Sequence, residues 1–233
     1  MFFSERIISI NPTDKVLEIG PGATPYFRSD VYLEKEYKTD KELIVQSGHV
    51  GLLKTNKKVI TYKGDIFPFV DKEFDYVVCS HVLEHVDDAD IFLQEIQRVG
   101  KKGYLEFPTL YYDYIYNFPE HQLFLMYRTG TINWMRKKES DLGKFHDVQS
   151  FFYKTCELGY YDFINKFKSY FFQGFEWVDH INSQHVNSLK ELTYDIGSRD
   201  FLNNLQDDMK RTQTSLSIRH SIENKLKSIV DKF

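Results

Sequence analysis

The run of residues 16–22, Val-Leu-Glu-Ile-Gly-Pro-Gly, limits what this chain can fold into more than any other stretch. An apolar run that stops at two closely spaced glycines is typical of a buried parallel strand that ends beneath a ligand. Glycine at such a position lets the backbone approach a ligand closely or adopt a positive φ. We therefore predict a strand at Val16–Ile19 and a nucleoside-cofactor site at Gly20 and Gly22.

The connection that follows Gly22 is short. Only residues 23–30 separate it from the next apolar run at 31–33. A parallel crossover normally takes about a dozen residues or more and usually contains a helix. Because no full helix fits here, either the crossover is truncated or residues 31–33 form an edge strand that is reached by a tight loop.

Further segments continue a regular pattern up to residue 107. Residues 36–57 form a short helix or an ordered loop, and the β-branched run at 58–62 indicates a third strand. A near-continuous apolar run at 74–79 indicates a central strand. Apolar residues recur at helical spacing from 89 to 99, behind Asp87 or Asp88 as the N-cap, and so indicate a helix. With a fifth strand at 103–107, this order predicts an α/β fold with a Rossmann-like, doubly wound, mostly parallel sheet.

Polar side chains coincide with the predicted carboxyl ends of these strands, where open α/β sheets bind their ligands. Glu34 is placed to accept hydrogen bonds from a ribose diol, or it is a solvated acid in the charged run 34–36. Asp65 is placed to bond an adenine amino group, or it begins a turn. Ser80 and His81 directly follow the fourth strand.

Bulk composition narrows the classes of partner. The 233 residues carry a net charge of −4, and the sequence pI is about 6.1, so we expect no nucleic-acid partner. Cys79 and Cys156 form no C-x-x-C pair, which predicts a reduced chain, and no metal site is predicted. No signal-peptide pattern and no apolar run of membrane-spanning length occur, so we expect a cytoplasmic location. The aromatic fraction of 16% indicates either a Phe/Tyr-built core or an aromatic-walled pocket.

Together these runs resemble the class I S-adenosylmethionine-dependent methyltransferases, and most closely the small type 11 kind. The resemblance rests on residues 16–22, Glu34, Gly64-Asp65, and residues 74–86, Phe-Asp-Tyr-Val-Val-Cys-Ser-His-Val-Leu-Glu-His-Val. It continues through the predicted helix and fifth strand and covers about residues 15–110.

The resemblance implies S-adenosylmethionine as the cofactor and gives roles to particular residues. It implies that Gly20 and Gly22 line the methionine moiety of the cofactor and that Glu34 holds the ribose. It also implies that Asp65 touches adenine and that Ser80 and His81, after strand four, flank the sulfonium. By the same resemblance, Glu18 orders the loop or bonds the amino group of the cofactor through water.

Two features depart from the family pattern. Thr24 stands where a third glycine is frequent, and the helix that usually follows is nearly absent. The missing helix disfavours a dinucleotide, because a pyrophosphate is held at a helix N-terminus. S-adenosylmethionine carries no phosphate and does not need that helix.

Histidines are the predicted catalytic groups. Methyl transfer from a sulfonium is an in-line displacement that mainly requires alignment and exclusion of water, and a hydroxyl acceptor also benefits from a general base. His81, next to the fourth strand, and His121 are the predicted bases, with His146 as a further candidate. The aromatic run before His121 forms either an acceptor pocket or a packed surface loop. His85 either faces the pocket or packs beneath the helix.

The C-terminal half is predicted to elaborate the same domain. We expect a single domain over residues 1–233, with a cofactor-binding core at 15–110 and an acceptor-side elaboration at 111–233. The sequence predicts a hairpin strand at 131–135, a helical aromatic segment at 148–167 and a last sheet strand at 171–178. An apolar stripe from 218 to 230 predicts a helix that closes the core or makes a homodimer contact.

The predicted function is methyl transfer to a small-molecule or glycan-like acceptor, with O-methylation favoured by the number of possible bases. Two alternatives stay open. An RNA or protein methyltransferase requires a basic patch beside the site, for which Lys101-Lys102 and residues 136–138 are the candidates. A non-catalytic binding or partner-activating subunit would not bind S-adenosylmethionine.

Overall fold

The computed structural model describes residues 1–46, 53–199 and 201–203. The chain divides into two compact units, Met1–Thr193 and a second unit that begins at Tyr194. Within the second unit, the rings of Tyr194 and Phe201 stack with their centroids 5.5 Å apart. The apolar stripe at 218–230, with the dimer contact predicted for it, lies outside the described residues. The single-domain organisation stays a prediction.

The first unit alternates strands and helices. Its described strands are β1 Val16–Ile19, β2 Val31–Lys35, β3 Lys58–Tyr62, β4 Phe74–Ser80, β5 Gly100–Pro108, β6 Leu123–Arg128, β7 Thr131–Arg136, β8 Phe172–Val178 and β9 Asn182–His185. Its described helices are α1 Asp40–Gln46, α2 Ala89–Val99, α3 Leu110–Tyr116, α4 His146–Glu157, α5 Asp162–Lys166 and α6 Lys168–Phe171. None of the described helices combines the length and the apolar character that a membrane crossing needs.

Six strands form one sheet in the order β3-β2-β1-β4-β5-β8. The first five pair in parallel, and β8 pairs antiparallel with β5. This topology confirms the predicted mixed α/β, Rossmann-like fold with a mostly parallel sheet. The chain runs outward from β1 to β3 and then returns to place β4 on the other side of β1. Ligands in such sheets bind outside the carboxyl ends of the strands, where the order reverses.

The centre of the sheet is buried on both faces. All four residues of β1 and residues 76–79 of β4 are buried. The apolar side of α2 covers one face, where Phe92, Leu93 and Ile96 join the main core cluster. Each such side chain stabilises the fold by roughly 1.5–3 kcal/mol on burial. α2 begins where the Asp88 carboxylate accepts hydrogen bonds from the amides of Asp90 and Ile91, at 3.0 and 3.2 Å.

The crossover between β1 and β2 is truncated. Residues 20–30 form turns and contain no helix. β2 is hydrogen-bonded to β1 on one side and β3 on the other, so the edge-strand alternative is wrong. Side chains hold the loop in place of a helix: the Glu18 carboxylate accepts from the amide of Tyr26 at 2.9 and 3.0 Å, and Asp30 accepts from the amide of Val16 at 2.9 Å.

The C-terminal half of the first unit adds a second sheet, ordered β6-β7-β9. The predicted hairpin strand at 131–135 is confirmed as β7, which pairs antiparallel with β6. The predicted last strand of the main sheet is confirmed as β8. The predicted helical segment at 148–167 is interrupted at residues 158–161, where α4 ends and a turn leads into α5. β6 and β9 were not predicted from the sequence.

Aromatic residues build a core of their own. Tyr116, Phe171 and Phe172 are buried in one cluster with Phe3 and Ile164. Further aromatic residues of the run after β5 pack against this cluster, namely Tyr111, Tyr112 and Phe118. The high aromatic fraction therefore reflects a Phe/Tyr-built core in this part of the molecule. The run for which an acceptor pocket and a packed surface loop were the alternatives forms the helix α3.

The cap of α2 gives a test of this fold. Replacing the capping carboxylate in Asp88→Ala should lower the stability by about 1 kcal/mol, because two amides of the first helical turn lose their acceptor. The exposed neighbour Asp87 makes no such contact among the described residues. Asp87→Ala should therefore leave the urea-unfolding midpoint nearly unchanged. Equal shifts for the two variants would contradict the assignment of Asp88 as the cap.

Candidate functional site

A cleft lies at the carboxyl ends of the parallel strands. Its wall is formed at the ends of β1, β2 and β3 by Ile19, Gly20, Glu34, Lys35, Tyr37 and Tyr62. Residues that follow β4 or precede β6 complete the wall, namely Val82, His85, Val86, Glu120 and Gln122. The cavity volume of the cleft is about 140 Å³. It therefore lies where the topology places a ligand.

Gly20 shapes the wall of the cleft for two reasons. Its φ of +62° is a conformation that side chains disfavour. A Cβ at this position would also overlap the Cγ2 methyl of Val82. Gly22 has a φ of +55° but open space around its missing Cβ, and it does not line the cleft. At position 20, both the positive φ and the close approach of the Val82 side chain require glycine. At position 22, only the positive φ requires it.

Glu34 presents a carboxylate to the cleft with acceptor capacity to spare. The side chain is half-buried, and the hydrogen bond described for it comes from the adjacent amide of Lys35 at 3.1 Å. Burial raises the pKa of Glu34 to about 7, and the Lys35 amide offsets this only in part. No cation pairs with this carboxylate among the described residues. A ligand that donates hydroxyl hydrogens would therefore find an acceptor here.

Glu18 lies behind the wall of the cleft. Its carboxylate holds the glycine loop through the Tyr26 amide. Burial raises its pKa to about 7, although the hydrogen bonds from the Tyr26 amide lower it in part. The resemblance implied that Glu18 either orders the loop or bonds the amino group of the cofactor through water. Its position fits the first of these roles.

Asp65 is exposed on the turn that follows β3 and does not line the cleft. Gly64 before it adopts a φ of +71°, which turns the chain there. This position fits the turn alternative for Asp65 and not the predicted contact with adenine.

Ser80 and His81 belong to a buried polar cluster and not to the wall of the cleft. The Ser80 hydroxyl donates to Glu106 Oε1 at 2.9 Å, and His81 Nε2 lies 3.1 Å from the same oxygen. The ring of Phe2 packs 5.3 Å from the ring of His81 and stacks on Phe172 at 4.2 Å. The predicted position beside a sulfonium is therefore covered by the N-terminal segment.

His81 is poorly suited to the base role predicted for it. Its Nδ1 lies 3.3 Å from Glu84 Oε1, so the ring sits between two carboxylates. Burial lowers the pKa of His81, but the two carboxylates beside its ring, Glu106 and Glu84, outweigh it and raise the pKa to about 9. An imidazolium at neutral pH has no lone pair with which to accept a proton. The structure therefore does not support the base role that was predicted for His81.

His85 and His121 lie side by side, and only His85 lines the cleft. Their rings are perpendicular with centroids 4.8 Å apart. His121 Nδ1 lies 2.8 Å from Asp113 Oδ1, and His85 Nδ1 lies 3.1 Å from the carbonyl of Glu120. Burial lowers the pKa of His85. Of the two alternatives for His85, the structure therefore favours the one that faces the pocket.

Glu84 is the residue that sequence reasoning missed. It is fully buried beneath the cleft, next to His85 in the short 3-10 turn Leu83–His85. The acid and the two histidines bring one ligand atom each to within 4.8 Å of one another. The adjacent acid and histidine were visible in the sequence, but nothing in it placed His121 beside them. The exposed His146 lies outside this cluster, at the start of α4.

Residues 37–106 match the family model described as a methyltransferase domain. The match confirms the resemblance to class I S-adenosylmethionine-dependent methyltransferases for the segment from the end of β2 to β5. It begins after Gly20 and Glu34, so the first part of the cleft rests on its own geometry.

A curated relative is an uncharacterized protein of Methanocaldococcus jannaschii. It is 33% identical over 92 residues, which are 40% of this chain and 42% of the relative. The chain thus spans less than half the length of that relative.

Solved structures with similar parts include a methyltransferase of Thermotoga maritima described as a possible histamine N-methyltransferase. It shares 18% identity over 52% of this chain and 61% of that chain, with a TM-score of 0.37. A protein of Pyrococcus horikoshii shares 21% identity over 43% and 52%, with a TM-score of 0.33. A putative methyltransferase of Bacillus halodurans shares 17% identity over 48% and 55%, with a TM-score of 0.35. Likeness at this level says nothing about the substrate.

The two glycines provide a test of the loop. Gly20→Ala should destabilise the protein more than Gly22→Ala, because only Gly20 adds a steric overlap with Val82 to the cost of a positive φ. We expect a loss of roughly 1–2 kcal/mol for the backbone at each position and about 1–3 kcal/mol more for the overlap at position 20.

A double-mutant cycle isolates the steric part. In the double variant Gly20→Ala/Val82→Ala, the overlap disappears. Its loss of stability in thermal or urea unfolding should therefore be smaller than the sum of the losses in the two single variants. Strict additivity, or equal losses for the two glycine variants, would show that close approach at Gly20 does not matter.

Proposed function

We propose that this chain binds S-adenosylmethionine in the cleft and transfers its methyl group to a small-molecule acceptor. The observation that carries the proposal is that Gly20 lines the same cleft as the Glu34 carboxylate, which has acceptor capacity to spare. The methyltransferase-domain match over residues 37–106 supports the same reading. Because the chain spans less than half of its curated relative, the activity of the whole protein is a proposal.

The residues of the cleft suit a nucleoside that carries no phosphate. Gly20 allows close approach of the backbone, Glu34 would accept from ribose hydroxyls, and Tyr37 and Tyr62 offer aromatic surface. A dinucleotide would need a helix N-terminus for its pyrophosphate, and residues 20–30 contain no helix. When bound, S-adenosylmethionine would supply an electrophilic methyl group. The chain itself would orient the two reactants and exclude water.

A hydroxyl acceptor at the histidine side of the cleft is the finer part of the proposal. His121 keeps its predicted role as a candidate base: Asp113 accepts at Nδ1, which would leave Nε2 to receive a proton. His121 lies behind His85 and would act through it or through a water. This arrangement supports O-methylation as the reaction. A glycan-like acceptor has less support, because the aromatic residues after β5 pack into a core.

The RNA or protein alternative finds little support in the expected basic patches. Lys101 and Lys102 pair with Asp75 and Asp14 at 2.7 and 3.0 Å. In the second patch, Arg136 pairs with Asp88 at 3.3 Å. Cations neutralised in this way offer weak attraction to a nucleic-acid backbone.

S-adenosylhomocysteine binding tests the proposal against the non-catalytic alternative. In calorimetric titrations with EDTA present, we expect micromolar binding to the full chain. Glu34→Gln should weaken it by about 10- to 100-fold, since a charged acceptor is lost. The control Glu36→Gln should not, because Glu36 is exposed and pairs with Lys63 outside the cleft. If S-adenosylhomocysteine did not bind to the folded wild-type protein, the enzyme proposal would be contradicted.

The affinity should also depend on pH. Glu34 has a pKa raised to about 7 in the protein without ligand. A diol donates to the ionised form, so the affinity should increase from pH 6 to pH 8 and fall as Glu34 is protonated below 7. The pKa of Glu18 is also raised to about 7. Because Glu18 is present in both proteins, subtracting the pH profile of Glu34→Gln from that of the wild type removes the contribution of Glu18. An equally steep pH profile in the variant would exclude Glu34 as the acceptor.

A further inference from the structure

We propose that Glu84, His85 and His121 bind one divalent transition-metal ion at the side of the cleft. The ligand atoms of the three residues lie within 4.8 Å of one another, and His85 Nε2 lies 4.0 Å from Glu84 Oε1. Atoms bonded to one zinc-like ion lie about 3–3.5 Å apart, since each bond is about 2.1 Å long. Small side-chain rotations would close the difference.

Both histidines are already oriented as metal ligands usually are. His85 offers Nδ1 to the carbonyl of Glu120, and His121 offers Nδ1 to the carboxylate of Asp113. A ligating histidine almost always donates its other ring N–H to a carboxylate or a backbone carbonyl, which fixes the tautomer. In each ring, Nε2 is the nitrogen left to face the metal.

Glu84 points to a missing partner. The side chain is fully buried, yet neither carboxylate oxygen has a hydrogen-bond partner among the described residues. The nearest cation is His81, 3.3 Å from Oε1, and His81 is shared with Glu106. A buried carboxylate without hydrogen bonds is costly. If the histidines were merely a packed polar pair, this carboxylate would stay unexplained, whereas a bound cation accounts for it.

The backbone holds the two halves of the site together before any ion binds. Glu84 and His85 follow β4, whereas His121 precedes β6. The amide of Gln122 donates to the carbonyl of Glu84 at 2.6 Å, and the amide of His121 donates to the carbonyl of Phe118 at 3.2 Å. The site is therefore fixed by main-chain contacts and needs no large rearrangement to receive an ion.

The donor set selects the class of metal. Two imidazoles and one carboxylate favour Zn²⁺, Fe²⁺ or Co²⁺ over Mg²⁺ and Ca²⁺, which prefer oxygen ligands. Three protein ligands leave coordination positions open, as in catalytic rather than structural sites. His85, Glu120 and Gln122 line the cleft, so an open position would face it.

This position suggests what the ion would do, and this part rests on the proposed function. An acceptor hydroxyl bound to the ion would pass its proton to solvent water more readily, as metal-bound water does. The ion would occupy Nε2 of His121, the nitrogen that a general base would use. The two roles of His121 are therefore mutually exclusive, and metal binding would replace the base.

Metal binding to the full chain, without cofactor, tests the site. Chelator-treated protein is titrated with Zn²⁺, Co²⁺ and Mg²⁺ in a calorimeter, and the absorption spectrum of the Co²⁺ form reports its ligands. We expect one Zn²⁺ or Co²⁺ per chain and at least 100-fold weaker Mg²⁺. Glu84→Gln, His85→Ala and His121→Ala should each lower the Zn²⁺ affinity at least 100-fold. Asp113→Asn should lower it about 10- to 100-fold.

His180→Ala is the matched control, since it removes an exposed histidine outside the cluster. It should bind the ion as the wild type does, and circular dichroism establishes that each variant is folded. Two outcomes would overturn the proposal: a folded wild-type protein that binds no ion at millimolar concentration, or binding that survives Glu84→Gln and His121→Ala unchanged. Because the cofactor titration is done in EDTA and the metal titration without cofactor, failure of one leaves the other standing.

Discussion

The buried carboxylate of Glu106 is the contact on which the end of the sheet depends. It lies on β5 and accepts hydrogen bonds from two other segments, through the amides of Phe2 and Phe3 and the Ser80 hydroxyl, and from the Tyr104 hydroxyl of its own strand. Burial raises its pKa, but His81 and Tyr104 outweigh this and lower it to about 2. The carboxylate therefore stays charged, and the N-terminal segment is fixed over the ends of β4 and β5.

This contact determines where chemistry can occur. Because Ser80 and His81 contact Glu106 and Phe2 packs on His81, these two residues do not line the cleft, whereas Val82 after them does. His81 accommodates this with a φ of +58°, a conformation uncommon outside glycine. The functional groups that do reach the cleft come one turn later, at His85. The reactive side of the site is thereby shifted toward β6.

The sequence predicted those parts of the fold that depend on local pattern. Apolar runs ending at Gly20 and Ser80 gave the parallel strands, and the short connection after Gly22 gave the truncated crossover. The position of Glu34 at the end of the second strand was predicted because the alternation of strands and connections shows where that strand stops. Asp65 was ambiguous for the same reason, since a strand end and a turn look alike in sequence.

What the sequence did not predict depends on contacts between distant segments. His81 meets Glu106 because β4 and β5 pair with Ser80 opposite Glu106, a register that no local pattern reveals. His121 reaches His85 only after α3 returns the chain to the turn that follows β4. The aromatic run at 111–118 was compatible with a pocket until Phe171 and Phe172, far along the chain, were seen to pack against it.

Charge pairing in the buried region singles out one residue. Glu106 is matched by His81 at 3.1 Å, and Asp113 by His121 at 2.8 Å and by Lys137 at 3.7 Å. Glu84 has only a share of His81. Buried charges are stable when they are paired or coordinate metals, so one carboxylate in this region is left with too little positive charge. The two imidazoles beside it present ring nitrogens, so a divalent cation that both can bind would supply the missing charge.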